Sequence, residues 1–152
     1  MKRQPYLHSA ALRRALSITM LSLVAGGWTS APLAKSADAD ALQEAVMTAQ
    51  DIRAVLDLSL CTTHGTAAHG PAIRASLRPN AFLLMQDGTV AFSDTHLTVR
   101  ADGKPVREFM KYRVLPDGKA EFQTIVLDAA DFSVVQKSQY DCALGKGLKL
   151  RW

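Results

Sequence analysis

The stretch of sequence that decides the fold is residues 87–128, which read DGTVAFSDTHLTVRADGKPVREFMKYRVLPDGKAEFQTIVLD. Asp-Gly recurs in this stretch every 15 residues, at positions 87–88, 102–103 and 117–118. Asp-Gly is favoured in tight hairpin turns, where both central residues need a positive φ angle. The segments beside these turns are rich in strand-forming residues. The stretch therefore predicts an antiparallel meander with strands over residues 81–86, 89–99, 106–115 and 120–127.

The segments on either side of the meander predict one helix and further strands. Residues 40–50 carry apolar side chains at helical spacing, with Asp38 or Asp40 as the N-cap. Residues 52–61 alternate between apolar and polar side chains, which indicates a strand with one buried face. Glycine and proline make residues 62–80 a loop that holds a short strand over 73–77.

The C-terminal segment is less regular. Residues 128–138 are predicted as a short helix or irregular structure, and residues 147–152 as a last edge strand. The expected fold class is α+β and mostly antiparallel β. It would be a meander, a small sandwich or a half-barrel of about 5–7 strands with one N-terminal helix. Four aromatic residues are expected in its core: Phe109, Tyr112, Phe122 and Phe132.

The N-terminal 39 residues are predicted to be a secretory signal peptide. A basic segment ending at Arg13-Arg14 precedes an uncharged run over residues 15–34, and small residues follow it. Cleavage is expected somewhere in residues 31–41, preferably near Ala39, which leaves residues 40–152 as a single domain. An uncleaved membrane anchor is the alternative, because 20 uncharged residues are long enough to span a bilayer. After cleavage no permanent membrane anchor is expected.

Removing the signal peptide changes the charge of the protein. The whole chain has 18 basic and 14 acidic residues, of which five basic and one acidic residue lie within residues 1–39. The remaining domain has 13 of each sign and is formally neutral. Nucleic-acid binding usually requires a basic stripe, so no nucleic-acid partner is expected.

Both cysteines, Cys61 and Cys142, lie in the predicted domain. An even pair of cysteines in an exported protein is read first as a disulfide, because the periplasm and the extracellular space are oxidising. The sequence therefore predicts a Cys61–Cys142 bond. A metal site is the competing interpretation, since His64 and His69 are close to Cys61 in sequence and His96 could be a fourth ligand. Their spacing matches none of the usual zinc patterns, so no metal and no cofactor are predicted.

The segment 92–96 contains a serine, a carboxylate and a histidine, which suggests a hydrolase. On a strand, however, successive side chains point to opposite faces, so Ser93 faces away from Asp94 and His96. The sequence has no Gly-x-Ser-x-Gly elbow. We therefore predict no catalytic residues. Asp94 and His96 remain a same-face pair that could bind a partner group, and a hairpin centred on the second Asp-Gly turn would place Asp94 opposite Lys111.

Four stretches of the sequence together resemble the VirK protein family. They are DLSLCT at 57–62, FSDTHLTV at 92–99, Tyr112-Arg113-Val114 before the turn at 116–118, and Tyr140-Asp141-Cys142. The resemblance extends over residues 40–150. It implies a small exported bacterial protein encoded among virulence-associated genes, and it carries over no catalytic residue or ligand.

The expected function is that of a non-enzymatic accessory protein, located in the periplasm or outside the cell. Its expected partner is an unidentified protein or envelope component. The alternative is a small-ligand or metal-binding β domain that uses His64, His69, His96 and Asp94. A hydrolase built on Ser93 or Asp94 with His96 is the third hypothesis.

Overall fold

The structure, a computed structural model, describes residues 36–152. All of them belong to one compact unit, and most of the predicted signal peptide lies outside them. The helix in this part of the chain is too short to cross a membrane. In chain order the elements are α1 (Ala37–Met47), β1 (Arg53–Asp57), a 3-10 turn (Leu58–Leu60), β2 (Thr62–Thr63), β3 (Arg74–Leu77), β4 (Phe82–Leu84), β5 (Val90–Val99), β6 (Pro105–Val114), β7 (Lys119–Asp128), β8 (Val134–Ala143) and β9 (Leu148–Arg151).

The nine described strands form two open antiparallel sheets. The large sheet has the order β2-β8-β7-β6-β5-β4, and the small sheet has the order β3-β1-β9. The predicted α+β class, the meander β4–β7 and the edge position of β9 are confirmed. The structure has more strands than the expected 5–7 because the very short β2 and the long β8 were not predicted.

The three Asp-Gly turns are alike, but they are not two-residue turns. In each turn the glycine has a φ angle of +82 or +83°, whereas the φ angle of the aspartate is not positive. Each turn is a three-residue loop. The backbone N–H of the residue before the loop donates a hydrogen bond to the carbonyl of the residue after it, as Met85 does to Thr89 (2.9 Å). This is a type I turn followed by a left-handed glycine. Each hairpin is consequently centred on the aspartate itself, so Val90 pairs with Val114 and Ala91 with Arg113 across the second turn.

The aspartate of each turn also stabilises the loop with its side chain. Asp87 Oδ1 accepts a hydrogen bond from the backbone N–H of Thr89, and Asp117 Oδ1 accepts one from that of Lys119 (2.9 and 3.0 Å). The bonds from Thr89 lower the pKa of Asp87. For Asp117, the side chain of Lys119 lowers the pKa most, followed by the backbone bond. The first and third turns therefore favour the carboxylate form of their aspartates.

Two predicted elements are wrong in part. The strand over residues 52–61 ends at Asp57, because Asp57 caps a 3-10 turn through a hydrogen bond from the Ser59 N–H. The segment 128–138 was predicted as a short helix or irregular structure. From residue 134 onward it is instead a strand, since β8 begins at Val134 and pairs with β7 along its length. Its sequence does not alternate clearly because half of the strand has no covered face.

Helix α1 starts earlier than the sequence pattern indicates. Ser36 is the N-cap residue, and its carbonyl accepts hydrogen bonds from the N–H groups of Ala39 and Asp40 (both 3.0 Å). The Ser36 N–H in turn donates to the Pro116 carbonyl (2.8 Å). Asp38 and Asp40 lie in the first turn rather than at the cap, where their charges are favourable to the helix dipole. The helix is thus attached to the β6–β7 turn from its first residue.

The core lies between the large sheet on one side and α1 with the small sheet on the other. Leu42 of α1, Leu56 of β1 and Leu148 of β9 pack against the large sheet and are almost fully buried. We call the covered face of the large sheet the inner face. One aromatic side chain from each of five adjacent strands forms a row across it, with ring centroids 4.6–6.1 Å apart: Phe82, Phe92, Tyr112, Phe122 and Tyr140. Tyr112 and Phe122 are buried as predicted, whereas the prediction for Phe109 and Phe132 is wrong, because both are exposed.

Cys61 and Cys142 form the predicted disulfide, with 4.4 Å between their Cα atoms. The bond ties the residue after the 3-10 turn to β8, and both residues are buried in the core. Gly147 packs directly on the Cys61 sulfur, where a larger residue has no room. The disulfide thus lies at the end of the β2–β8 ladder, one residue beyond the Thr62–Asp141 pair.

We expect the Cys61→Ala/Cys142→Ala variant to lose about 4 kcal/mol of unfolding free energy, because a loop of roughly 80 residues is no longer closed in the unfolded chain. Urea denaturation measures the change. The wild-type protein under a reducing agent is the control, since it loses the cross-link and keeps both sulfur atoms. An unchanged denaturation midpoint in both samples would contradict the prediction.

A matched pair of glycine variants tests the contact between α1 and the β6–β7 turn. Gly103 and Gly118 have the same φ of +82°, which costs an alanine about 1–2 kcal/mol. A Cβ at Gly103 meets nothing within 4 Å, whereas one at Gly118 would lie 3.0 Å from Ser36 Cβ and Oγ. We expect Gly118→Ala to lower the unfolding free energy by about 1 kcal/mol more than Gly103→Ala. Equal losses in urea denaturation would show that Ser36 does not pack there.

Candidate functional site

The large sheet extends well beyond its cover. Strands β5–β8 have 10 residues each and so are about 33 Å long, but the connected hydrophobic core ends near the aromatic row. Val106 of β6 is buried apart from that core. Along β5 the last buried residue is Phe92, and residues 93–99 are exposed or half-buried. We call the other half of the sheet the projecting half: residues 93–99, 105–111, 123–128 and 134–139.

Both edges of the projecting half are open among the described residues. β4 pairs with β5 only over residues 90–92, and β2 pairs with β8 only at residues 140–141. Asp94 partly protects the β5 edge, because its Oδ1 accepts a hydrogen bond from the Thr95 N–H (2.8 Å). The outer face and both edges of this half-sheet therefore remain available to another molecule, whereas Val106 and Thr124 of the inner face are buried.

The inner face of the projecting half carries a connected polar group. His96 on β5 lies directly opposite Glu108 on β6, and its Nε2 is 3.2 Å from Glu108 Oε2. The other carboxylate oxygen of Glu108 accepts a hydrogen bond of 2.7 Å from Thr124 Oγ1 on β7. Thr124 is buried, while the His96 and Glu108 side chains are 46% and 26% exposed. Three strands thus hold one carboxylate in a fixed position.

Tyr112 lies below this group and is completely buried. Its hydroxyl has a weak contact with the Met110 sulfur (3.8 Å). Burial raises the pKa of the Tyr112 phenol strongly, and the nearby charges of Asp94 and Glu108 raise it further. Tyr112 is therefore a neutral hydrogen-bonding group of the core rather than an acid or base of the site.

The outer face of the projecting half is apolar and basic. Leu97, Val99 and Phe109 are 68%, 63% and 41% exposed, and three cations stand among the apolar side chains: Arg107, Lys111 and Lys137. By register, none of the outer-face residues of this half is acidic. The inner face has the opposite character, with the carboxylates of Asp94, Glu108 and Asp128. The predicted domain over residues 40–152, which is formally neutral, is thus polarised across this sheet.

The predicted site residues do not all come together. Asp94 and His96 share the inner face as predicted, but they form no hydrogen bond with each other, because His96 binds Glu108 and Asp94 binds the Thr95 N–H. His64 follows β2 at the opposite edge, where its Nδ1 is 2.9 Å from Asp141 Oδ1. Four strand spacings, about 19 Å, separate β2 from β5.

His69 lies beside β2, bridged to Thr62, and is likewise far from His96. Cys61 is bonded to Cys142, so it cannot ligate a metal as a thiolate. Residues 36–152 contain no cluster of three or more His, Cys, Asp or Glu side chains that could hold a metal ion. The set of His64, His69, His96 and Asp94 therefore does not form one rim.

The expected pairing of Asp94 with Lys111 is wrong by one residue. Asp94 lies opposite Met110, and Ser93 lies opposite Lys111. The expectation placed the hairpin centre between Asp102 and Gly103, whereas the three-residue loop puts it on Asp102. Because side chains alternate with a period of two, this shift moves Lys111 to the outer face and away from Asp94.

Glu108 and Thr124 were missed as members of the inner-face group. The signal that could have identified Glu108 is the register, because a three-residue loop centred on Asp102 places it opposite His96. The cations of the outer face were missed for the same reason. Their sequence positions are scattered, and only the sheet brings them to one surface.

Three comparisons identify relatives of this chain. The VirK protein family model matches residues 35–132. Uncharacterized protein y4wH of Sinorhizobium fredii (strain NBRC 101917 / NGR234) is 34% identical over 108 residues, which cover 70% of this chain and 74% of that protein. An uncharacterized protein in the pinF2 3′ region of Rhizobium radiobacter is 30% identical over 72% of this chain and 77% of its own length.

A solved structure has the same fold. The crystal structure of lpg1832, a VirK family protein from Legionella pneumophila, superimposes with a TM-score of 0.66 at 26% sequence identity, covering 75% of this chain and 95% of that one. The family model matches well over half of the chain, and its match includes the helix, β1 and the whole meander. The chain therefore belongs to the VirK protein family.

Proposed function

We propose that this protein is an exported, non-enzymatic accessory protein that binds another macromolecule through the projecting half of its large sheet. Its membership of the VirK family supports a role in host association or virulence. The partner is a protein or another component of the cell envelope. The place of action is the periplasm or the exterior of the cell.

The observation that carries this proposal is the uncovered half-sheet. Isolated sheets of this kind are normally covered or blunted, since exposed apolar side chains and open edges invite association. Here the apolar side chains gather at the far end of the sheet, where Leu97 and Val99 are joined by Val134 and Phe132. Phe132 is 54% exposed in a left-handed backbone conformation (φ 61°), with the Arg107 guanidinium 5.4 Å above its ring.

The positions of the polar residues favour binding over catalysis. Ser93 is on the outer face and His96 is on the inner face, so the sheet separates this nucleophile from the only base near it in sequence. Asp94 and His96 do not form the base–orienter pair that a triad needs. The wide separation of His64 and His69 from His96 also removes the shared site of the metal-binding alternative.

We expect Leu97→Glu to abolish capture of the partner. The substitution places a charge on the most exposed part of the apolar outer face, and central interface residues typically contribute 2 kcal/mol or more, about 30-fold in affinity. Capture from native envelope and secreted fractions, quantified by mass spectrometry, measures the effect. Ile73→Glu is the matched control, because Ile73 is 53% exposed in the loop before β3, outside the large sheet.

If Leu97→Glu retained the same partners as the wild type, the projecting half would not be the binding surface. If Ile73→Glu lost them to the same extent, the loss would be an effect of added charge rather than of position. Thermal denaturation of both variants verifies that each is folded.

Export is proposed from the leader-like N-terminus and from the disulfide, which is typical of oxidising compartments. The contacts of Ser36 favour a mature N-terminus no later than residue 36. Cleavage near Ala39 would remove the first turn of α1, including the buried Ala39 and the bond from Ser36 to Pro116. Intact-mass measurement of the exported protein should give a start at or before Ser36. A start at Asp40 or Ala41 would contradict this prediction.

A further inference from the structure

The outer face of the large sheet contains a groove of about 510 Å³, a volume typical of small-molecule sites. Its floor is made of two small side chains on β5, Ala91 and Ser93. Leu83 on the edge strand β4 forms one wall, and Phe109 on β6 with Ile125 on β7 forms the other. The groove spans the distance from β4 to β7, about 14 Å. It is separate from the exposed apolar tip formed by Leu97 and Val99.

The groove has one charged lining residue, Lys111. No salt bridge to Lys111 exists within residues 36–152. On the same face, Glu121 lies two residues from Gln123, the β7 partner of Lys111, and its carboxylate is paired with Arg113 at 3.2 Å. Arg107 and Lys137 lie on the same face without an acidic neighbour in their rows. The site therefore combines apolar walls with a cation that lacks a counter-charge, and this combination complements a molecule with an apolar tail and an anionic head.

Two other occupants fit less well. A second copy of the same face would bring Arg107, Lys111 and Lys137 toward their own counterparts, and like charges oppose such a contact. A peptide lying in the groove would carry backbone N–H and C=O groups along Leu83, Phe109 and Ile125, which are apolar. Only the Ser93, Lys111 and Gln123 side chains of the lining can form hydrogen bonds, and Lys111 can only donate them. Burying unpaired amide groups is costly. An acyl chain has no such groups.

We propose that this groove binds a single-chain anionic amphiphile, a fatty acid, with its acyl chain between Leu83 and Ile125 and its carboxylate on the Lys111 ammonium. The groove lies within the projecting half, but its lining does not include the exposed tip residues Leu97 and Val99. No covalent step is involved.

The test is calorimetric titration of the purified protein with dodecanoate below its micellar concentration. Dodecylammonium is the matched probe, since it has the same tail and the opposite charge. We expect saturable binding of dodecanoate and binding of dodecylammonium that is at least about tenfold weaker, as one charge-assisted hydrogen bond is worth that factor. In a parallel NMR titration, the changes in the backbone amide chemical shifts of Ala91, Ser93 and Lys111 should give the same dissociation constant as the calorimetry.

Two variants with matched controls locate the site. Ser93→Phe fills the floor of the groove at an exposed strand position, and we expect it to weaken dodecanoate binding at least about tenfold. Ser76→Phe, at an exposed position of β3, should have no effect. Lys111→Gln should remove the preference for dodecanoate over dodecylammonium, whereas Lys137→Gln, outside the groove, should keep it.

Several results would overturn the proposal. Equal affinity for both probes would exclude recognition of the anion, and equal effects of Ser93→Phe and Ser76→Phe would exclude this groove. If monomeric dodecanoate did not bind, and the protein sedimented with phosphatidylglycerol vesicles equally well with and without Ser93→Phe, the ligand would be a membrane surface. If dodecanoate did not bind, and light scattering showed a dimer that Ser93→Phe dissociates, the occupant of the groove would be a second copy of the protein. Loss of the macromolecular partner in Leu97→Glu leaves all of these outcomes unaffected.

Discussion

The pairing register of the large sheet is the constraint on which the rest of the structure depends. Three turns with the same hydrogen bonds centre the hairpins on Asp87, Asp102 and Asp117. A shift of one residue at any of them would exchange the inner and outer faces of a strand. The aromatic row, the core below it and the separation of charge above it all require the same register. A positive φ angle at one glycine per turn is therefore a condition for the whole fold.

The second determinant is the mismatch between long strands and a small cover. Helix α1 and the three-stranded sheet have enough apolar surface to cover the sheet only as far as the aromatic row. The disulfide fixes this cover to β8 at the level of Cys142. Beyond the row, four strands stabilise one another through their ladders, through side-chain pairs such as His96–Glu108 and through the burial of Val106. This division separates a region that contains the connected core from a region whose outer face is exposed.

Much of the fold could be predicted from local patterns. The Asp-Gly spacing identified the meander, and the even pair of cysteines identified the disulfide. The patterns failed where tertiary structure overrides them. β8 was missed because a strand without a covered face does not need to alternate. Phe109 and Phe132 were assigned to the core because an aromatic residue is usually buried, and nothing local indicates that the cover ends before them.

The candidate site was predictable only in part. Alternation on β5 was sufficient to place Asp94 with His96 and to separate both from Ser93. Glu108 and Thr124 are 12 and 28 residues from His96 in sequence, and they join it through a register that depends on the turn type. The same register brings Lys111, Phe109 and Ile125 to one groove from two strands. Without it, these residues are indistinguishable from ordinary positions in amphipathic strands.

By itself, the sequence determined the strands of the meander, the positions of the turns that connect them and which cysteines can pair. Those properties follow from backbone preferences and local side-chain chemistry, which act over a few residues. The tertiary structure alone decided that the sheet projects beyond its core. It also decided that, in the projecting half, basic side chains lie on one face and acidic side chains on the other, and that His64 and His69 lie far from His96. Those properties depend on how many strands separate two residues and on which face the cover occupies, and neither is set by local sequence.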